Sequence, residues 1–279
     1  TSGIYPLSLC YFSMAFNKQT GCLTSYRHYE EDFIMDPPVP NFWRAMTDND
    51  RGNQLNLRSY RWKTASLERK LVHFRANLEK NRANIFVEYQ FPSLPETLCR
   101  IFYIVEVSGA TTVQYLLLPG KQLSEIPEIG MMFSMPKIFE NVKWYGKGPH
   151  ENYIDREKGA KIGLYAGKVS EQYTPYLKPQ ECGNKTGVRW AEITKINGQG
   201  LKIIGSPTFE LNVLPFTPFE LEESNHSYQL PEINKTVVRI NYKQMGVGGD
   251  DSWGQKTHPE YTLYPFQPYQ YTFTLVPLK

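Results

Sequence analysis

Residues 245–253 read MGVGGDDSW and combine residue types that can hold a small ligand. Apart from the tryptophan, the segment is built around two glycines and two aspartates: Gly248, Gly249, Asp250 and Asp251. Glycine lets the backbone turn and aspartate accepts hydrogen bonds from nearby amides, so we predict a loop that carries Trp253 at its tip. An indole face packs against the apolar C–H face of a sugar ring, and its N–H can donate a hydrogen bond. The alternative is a tryptophan that only covers the end of the fold.

A second candidate region is residues 144–190, which are rich in glycine, proline and tyrosine. Gly146, Gly148 and Pro149 predict a tight turn, and the residues beyond it predict a long, ordered, irregular crossover. The polar side chains of this region are Glu151, Asn152, Asp155, Arg156 and Glu181. We expect them to form a network of charge-assisted hydrogen bonds that fixes the crossover.

Residues 48–53, DNDRGN, form an acidic cluster with some features of a calcium loop. The cluster lacks the downstream bidentate glutamate of an EF-hand. We therefore predict a turn that is stabilised by its aspartate and asparagine side chains, with a cation bound near Asp48 to Asp50 as the alternative.

Histidine and cysteine are not spaced for nucleophilic catalysis or zinc binding. The histidines are His28, His73, His150, His226 and His258, and none forms a recognisable nucleophile motif. We predict that His150 is a turn residue. The cysteines are Cys10, Cys22, Cys99 and Cys182, without CxxC spacing or a nearby histidine at zinc-ligand spacing. Cys10 and Cys22 flank a predicted hairpin and could pair, but we expect buried free thiols.

Composition narrows the class of protein. The 279 residues carry a net charge of +3 with scattered basic residues, so we expect no nucleic-acid partner. No apolar stretch approaches the roughly 18 residues that span a bilayer, and no signal peptide opens the chain, although a chain beginning at Thr1 could be a cut fragment. Aromatic residues make up 14% of the chain, which suits pleated sheets and sugar-binding surfaces.

Alternation of apolar and polar residues with a period of two runs through most of the chain and predicts antiparallel strands. The predicted strands are residues 11–17, 23–29, 72–78, 85–91, 100–107, 111–118, 188–194, 201–205, 208–213, 237–242 and 269–276. The methionine-rich run at residues 128–136 is predicted to lie in the core, since methionine fills irregular gaps. Residues 37–40, PPVP, cannot pair as a central strand and should cross the surface in extended form. Thr217, Pro218 and Glu220 form a capping-box pattern that predicts one short helix at residues 218–224. We predict an all-β fold, a large antiparallel β-sandwich, as a single domain over residues 1–279.

Three stretches in fixed order resemble the C-terminal β-sandwich domain of large bacterial β-galactosidases of the lacZ type, glycoside hydrolase family 2. Residues 144–156 and 173–183 match the W-x-G-x-G-P-x-E-N-Y-x-D-R and Y-x-x-P-Y-x-x-P-x-E-x-G runs of that family. Residues 41–52, NFWRAMTDNDRG, match F-x-R-A-P-x-D-N-D-x-G, and residues 245–253 match M-G-x-G-G-D-D-S-W. Met46 departs from the family, which commonly has proline there. The resemblance covers essentially the whole chain and implies a galactose mutarotase-like supersandwich.

The resemblance also implies a retaining glycosidase that hydrolyses terminal β-D-galactosides such as lactose. In that family both catalytic glutamates, the magnesium ligands and the sodium site belong to a separate (β/α)₈ barrel. The acid/base glutamate follows an asparagine, and this chain contains no Asn-Glu dipeptide, so we assign it no catalytic residue, no metal ligand and no cofactor. Trp253 matches the tryptophan that reaches from this domain into the active site.

We therefore expect a domain that completes the substrate site beside an upstream barrel, in an enzyme that is a homo-oligomer with no membrane partner. The alternatives are a stand-alone carbohydrate-binding sandwich and an enzyme like the aldose epimerases. An epimerase needs a histidine and a glutamate on one concave face, and no histidine motif of that kind is present.

Overall fold

Period-two alternation becomes antiparallel pairing in this computed structural model, which describes residues 3–9, 11–251 and 253–279. Four strands form a small sheet in sequence order: β1 (Ile4–Leu9), β2 (Phe12–Asn17), β3 (Leu23–His28) and β4 (Glu31–Asp32). The strands of a larger sheet are β5 (Asp36–Asn41), β6 (Lys70–Leu78), β7 (Arg82–Phe91), β8 (Leu94–Glu106), β9 (Thr111–Leu118), β10 (Glu128–Pro136), β11 (Asn141–Gly148), β12 (Lys161–Lys168), β13 (Lys185–Thr194), β14 (Gly200–Leu214), β15 (Lys235–Gln244) and β16 (Tyr269–Leu278). The fold is therefore nearly all-β, as predicted.

The larger sheet forks at β14. Its main path is β12-β11-β13-β14-β16-β9-β8-β7-β6. Residues 200–206 of β14 pair with β16, whereas residues 210–214 pair with β15, which continues to β10 and then to β5. The forked sheet curls around one large apolar core, and a smaller apolar cluster is formed by Ala45, Cys182, Leu214, Phe216 and Leu221.

Sequence patterns located most strands, and two differences have local causes. The strands predicted at residues 201–205 and 208–213 are one strand, β14, that continues through Pro207. Strand β12 was missed because Gly163 and Gly167 interrupt its alternation. The proline-rich segment is extended, as predicted, and forms β5, which pairs within the described residues with β10 alone. It does not run over the surface as predicted, because Pro38 and Pro40 are buried. Proline lacks a backbone N–H and is tolerated at such an edge.

Four short α-helices are present in the described residues, where the sequence predicted one. The predicted helix is confirmed as α4 (Pro218–Glu223), with Thr217 as its N-cap. The prediction of no other helix was wrong, because α1 (Asp48–Gly52), α2 (Leu55–Arg58) and α3 (Tyr60–Leu67) follow β5. Helices of four to eight residues are too short to show a clear period of 3.6.

The acidic cluster forms the whole of α1 together with its C-cap Asn53, which corrects the prediction of an aspartate-stabilised turn. The Asp50 amide donates to Thr47 Oγ1 at 3.1 Å, and the Thr47 amide donates to Asp50 Oδ2 at 3.1 Å. Aspartate thus serves as the third residue of a capping box, a position at which glutamate or glutamine is the usual signal.

Cys22, Cys99 and Cys182 are buried free thiols, as predicted, and Cys10 lies outside the described residues. No helix in the described part of the chain is long and apolar enough to cross a bilayer.

Candidate functional site

The segment that follows β15 forms an exposed loop, which we call the tryptophan loop and define as residues 245–258. The carboxylate of Asp251 organises its tip. Asp251 Oδ1 accepts hydrogen bonds from three successive backbone amides, Trp253 N at 2.9 Å, Gly254 N at 2.9 Å and Gln255 N at 3.1 Å. These bonds hold the pKa of Asp251 below its usual value, since they favour the charged form.

Trp253 is exposed although its backbone is fixed. Its side chain retains 79% of its accessible surface, whereas its carbonyl oxygen packs against α1. A Cβ atom at Gly52 would lie 1.4 Å from Trp253 O, so only glycine fits at that position. Asn49 of α1 also donates its side-chain amide to Asp251 O at 3.1 Å. Helix α1 is therefore the support on which the loop tip rests.

A buried ion pair fixes the start of the loop to the same helix. Arg44 is fully buried and donates to Asp50 through Nε at 3.2 Å and through Nη2 at 3.0 Å. Its Nη1 donates to Met245 O, and its Nη2 donates to Gly246 O at 2.8 Å. One guanidinium thus joins the N-terminal turn of α1 to the first two residues of the loop.

Asp155 holds the loop from the crossover side. Its Oδ2 accepts the Val247 amide at 2.9 Å and the Gly248 amide at 2.8 Å. The glycines of the loop serve close approach, because neither Gly248 nor Gly249 has a positive φ. A Cβ at Gly249 would lie 2.3 Å from Gln255 O, on the opposite limb of the loop.

Asp250 pairs with a residue that the sequence patterns did not link to it. His258 Nε2 lies 2.7 Å from Asp250 Oδ1, and His258 Nδ1 lies 3.7 Å from Glu260 Oε1. The hydrogen bond that the His258 imidazole donates to Asp250 raises the pKa of His258 above its ordinary value, with a smaller contribution from Glu260. The contact ties together the two ends of an exposed segment.

A cleft of about 420 Å³ lies beside the indole. Its walls carry a carboxylate, a guanidinium, amides and a phenol, from Asp48, Asn49, Arg156, Tyr176 and Gln180. Gln180 orients Asp48, since Gln180 Nε2 donates to Asp48 Oδ2 at 3.1 Å. An aromatic face with a few fixed polar groups in a concave site is the usual arrangement for binding a small polar molecule such as a sugar.

The polar residues of the crossover do form hydrogen-bonded networks, but not a single one. Glu151 accepts from Arg156 Nη2 and Tyr176 OH at 2.5 Å each, next to the cleft. Glu181 instead reaches inward, where both of its oxygens accept from Arg239 Nη2 at 2.8 Å. Arg239 was missed because it lies within the apolar strand β15, and a charge at a buried position of such a strand was the available signal.

Comparison with known proteins decides the family. A family model described as β-galactosidase small chain matches residues 9–275. The chain belongs to the β-galactosidase small-chain family. It is 49% identical over 267 residues to a β-galactosidase of Priestia megaterium, covering 96% of this chain and 26% of that protein. It is 29% identical to a β-galactosidase small subunit of Latilactobacillus sakei, covering 95% of this chain and 92% of the subunit. The chain spans about a quarter of most curated relatives it matches, so it corresponds to a domain of a larger enzyme.

Solved structures confirm the galactose mutarotase-like fold. A galactose mutarotase related enzyme from Lactobacillus acidophilus superimposes with a TM-score of 0.50 at 9% identity, over 99% of this chain and 97% of that chain. An aldose epimerase homologue from C. elegans superimposes with a TM-score of 0.51 at 7% identity, over 100% of this chain and 99% of that chain. At such low identity the likeness concerns the fold alone.

Proposed function

We propose that this chain completes the galactoside site of a β-galactosidase by presenting Trp253 to the substrate. The observation that carries the proposal is a large apolar side chain, 79% exposed, on a backbone that is anchored by Gly52, Asp251 and Asn49. Anchoring the backbone of Trp253 in the absence of substrate reduces the ordering cost when a sugar stacks on its indole.

Chemistry and binding are divided between two parts of the enzyme in this proposal. An upstream barrel supplies two carboxyl groups about 5 Å apart, as retaining hydrolysis requires, together with its magnesium and sodium ions. This chain supplies Trp253, with Gly248, Gly249, Asp250 and Asp251 shaping the loop. No group of three or more histidine, cysteine, aspartate or glutamate side chains in the described residues could hold a metal ion. We expect a homo-oligomeric enzyme acting on β-D-galactosides such as lactose, and we expect the chain alone to be inactive.

The cleft beside Trp253 would determine the orientation of a sugar ring that stacks on the indole. A pyranose that stacks on the indole would have the charged side chains of Asp48 and Arg156, which line the same cleft, available to its hydroxyl groups. Hydrogen bonds to charged groups are the stronger ones, so they would set the orientation of the ring while the indole supplies apolar contact.

The test is the Trp253→Ala substitution in the enzyme assembled with its barrel. Loss of a stacked aromatic face costs about 0.5–1.5 kcal/mol beyond area burial, so with the lost contact KM for lactose or Kd for an inhibitor should rise about tenfold or more. Trp253→Phe should retain part of the affinity, because it keeps a ring and loses the N–H. Tyr228→Ala is the matched control, since Tyr228 is also an exposed aromatic residue and lies outside the loop.

Two results would overturn the proposal. One is an unchanged KM for Trp253→Ala, and the other is a loss of folding stability in that variant that accounts for the loss of binding. Tight galactose binding or anomer interconversion by the chain alone would favour the carbohydrate-binding or epimerase-like alternative.

A further inference from the structure

The two sheets have five edge strands among the described residues, and these strands differ in how they are protected. The larger sheet ends at β5, β6 and β12, and the smaller sheet ends at β1 and β4. Proline, charged side chains, bulges and short length are the usual means by which an edge strand avoids pairing with another chain. An edge that has none of these features is open to a further strand.

Four of the five edges are protected. Strand β5 contains three prolines and β1 contains Pro6. Strand β4 is two residues long. The pairing of β6 with β7 shifts register between Leu71 and His73, and Arg75 places a charge in the middle of β6. These four strands are therefore poor partners for another chain.

Strand β12 has none of these features. It is eight residues long, KIGLYAGK, and pairs with β11 without a shift in register. It contains no proline, and its charged residues, Lys161 and Lys168, lie at its two ends. Between them Ile162 and Leu164 retain 50% and 58% of their accessible surface, so the strand is open to solvent. A further strand could join this edge through its backbone amides and carbonyls.

Leu164 also lies at the end of an apolar row on the outer face of the sheet. Four successive Cα partners on β12, β11, β13 and β14 form the row: Leu164, Tyr145, Trp190 and Ile204. Cross-strand partners in an antiparallel sheet point to the same face. In the described structure each member has a cross-strand neighbour on both sides except Leu164, whose second side faces the open edge. An apolar side chain from a further strand would fill that place.

The sequence of β12 is complementary to itself in one antiparallel register. Placing Leu164 opposite its own copy creates three further kinds of pair: Ile162 with Ala166, Gly163 with Tyr165, and Lys161 with Gly167. Large side chains then meet small ones, and no lysine lies opposite a lysine of the copy, which would be destabilising. Such an arrangement uses the same patch on both copies, as a two-fold dimer requires.

We propose that two copies of this chain associate through β12 as antiparallel partners, with Leu164 at the two-fold axis. The two larger sheets then form one continuous sheet across the dimer. The proposal adds to the expected homo-oligomer the surface at which two copies meet, and it does not depend on the role proposed for Trp253. A contact one strand wide is small, so the dimer should be reversible, with a fraction that rises with protein concentration.

Sedimentation equilibrium of the 279-residue chain tests the interface. The wild-type mass should rise from 32.4 kDa toward twice that value as concentration increases. Leu164→Lys should keep the monomer mass, because two lysines would lie directly opposite each other. Leu78→Lys is the matched control, since Leu78 is an exposed leucine on the protected edge β6, and this variant should associate like the wild type. A wild-type chain that is monomeric at every concentration would overturn the proposal, as would a Leu78→Lys variant that dissociates as fully as Leu164→Lys.

A charge swap tests the register and the identity of the partner. Leu164→Glu alone should also be monomeric, whereas an equal mixture of Leu164→Lys and Leu164→Glu should regain the dimer, since each lysine then faces a glutamate. Regained association also shows that both variants fold. A mixture that stays monomeric while the wild type dimerises would contradict the proposed contact. If Leu164→Lys instead abolishes binding to a separately expressed upstream portion of the enzyme, and the wild-type chain does not self-associate, the edge belongs to that portion and the proposal is wrong.

Discussion

The tryptophan loop and the buried cluster of Arg239, Glu128 and Glu181 use the same kinds of charged side chain with opposite results. At the loop, Arg44 and Asp155 bond to backbone carbonyls and amides, and the result is an apolar ring held in water. In the buried cluster, Arg239 bonds to the side chains of Glu128 and Glu181, and the result is a group of charges held away from water. Charged residues that bond to backbone fix the path of the chain, whereas those that bond to one another mainly compensate burial.

The largest expected effect comes from Arg44→Met, which tests how much the buried ion pair between Arg44 and Asp50 stabilises the fold. The change leaves Asp50 without its cation, and breaking a buried ion pair in this way costs about 3–5 kcal/mol. Urea unfolding would measure the loss. Arg82→Met is the control, since Arg82 pairs with Glu79 in solvent and should leave the unfolding free energy unchanged. Equal unfolding free energies of the two variants would show that the buried pair of Arg44 contributes no more than the exposed pair of Arg82.

A smaller effect on stability, but a large one on binding, is expected for Gly52→Ala. The new methyl group would overlap Trp253 O and push the loop tip off α1. In the assembled enzyme, KM for lactose should rise about as much as for Trp253→Ala, roughly tenfold. Gly159→Ala is the matched control, because a Cβ at Gly159 meets no atom within 4 Å. An unchanged KM for Gly52→Ala would show that the support does not position the ring.

The smallest effect concerns pH. Because Asp250 raises the pKa of His258 above 6.5, their ion pair is complete below about 6.5 and is lost as pH rises through the folded pKa. An NMR titration of the His258 imidazole should show this raised value. Asp250→Asn should bring the pKa down toward 6.5, and Glu260→Gln should lower it less, since Glu260 lies 3.7 Å away. The same pKa in both variants would contradict the assignment of the partner.

Much of the fold could be predicted from local pattern, since alternation alone located strands such as β9 at its observed bounds. The fork of the large sheet could not, because β5, β10, β15 and β14 pair across long separations that leave no local signal. Arg239 was missed for another reason, because it lies within the otherwise apolar strand β15.

For the candidate site, a loop with Trp253 at its tip was predictable from GGDDSW, whereas its support was not. Gly52 appeared as one glycine in an acidic cluster, and its role depends on contact with a carbonyl two hundred residues away. Arg44 appeared as one charge in an aromatic run, and its partners in the loop are backbone carbonyls, which every residue carries. Side-chain types can be read from sequence, but the backbone groups they bond to cannot.

The contact between α1 and the tryptophan loop also constrains when the site can exist. Asn49 and Asp251 are 202 positions apart, and contacts between distant parts of a chain form late because loop closure must come first. During synthesis the residues of α1 are made long before the residues of the tryptophan loop. Trp253 would then be supported by α1 only after the β-sandwich has folded. A misfolded or shortened chain would therefore lack this sugar-stacking surface altogether.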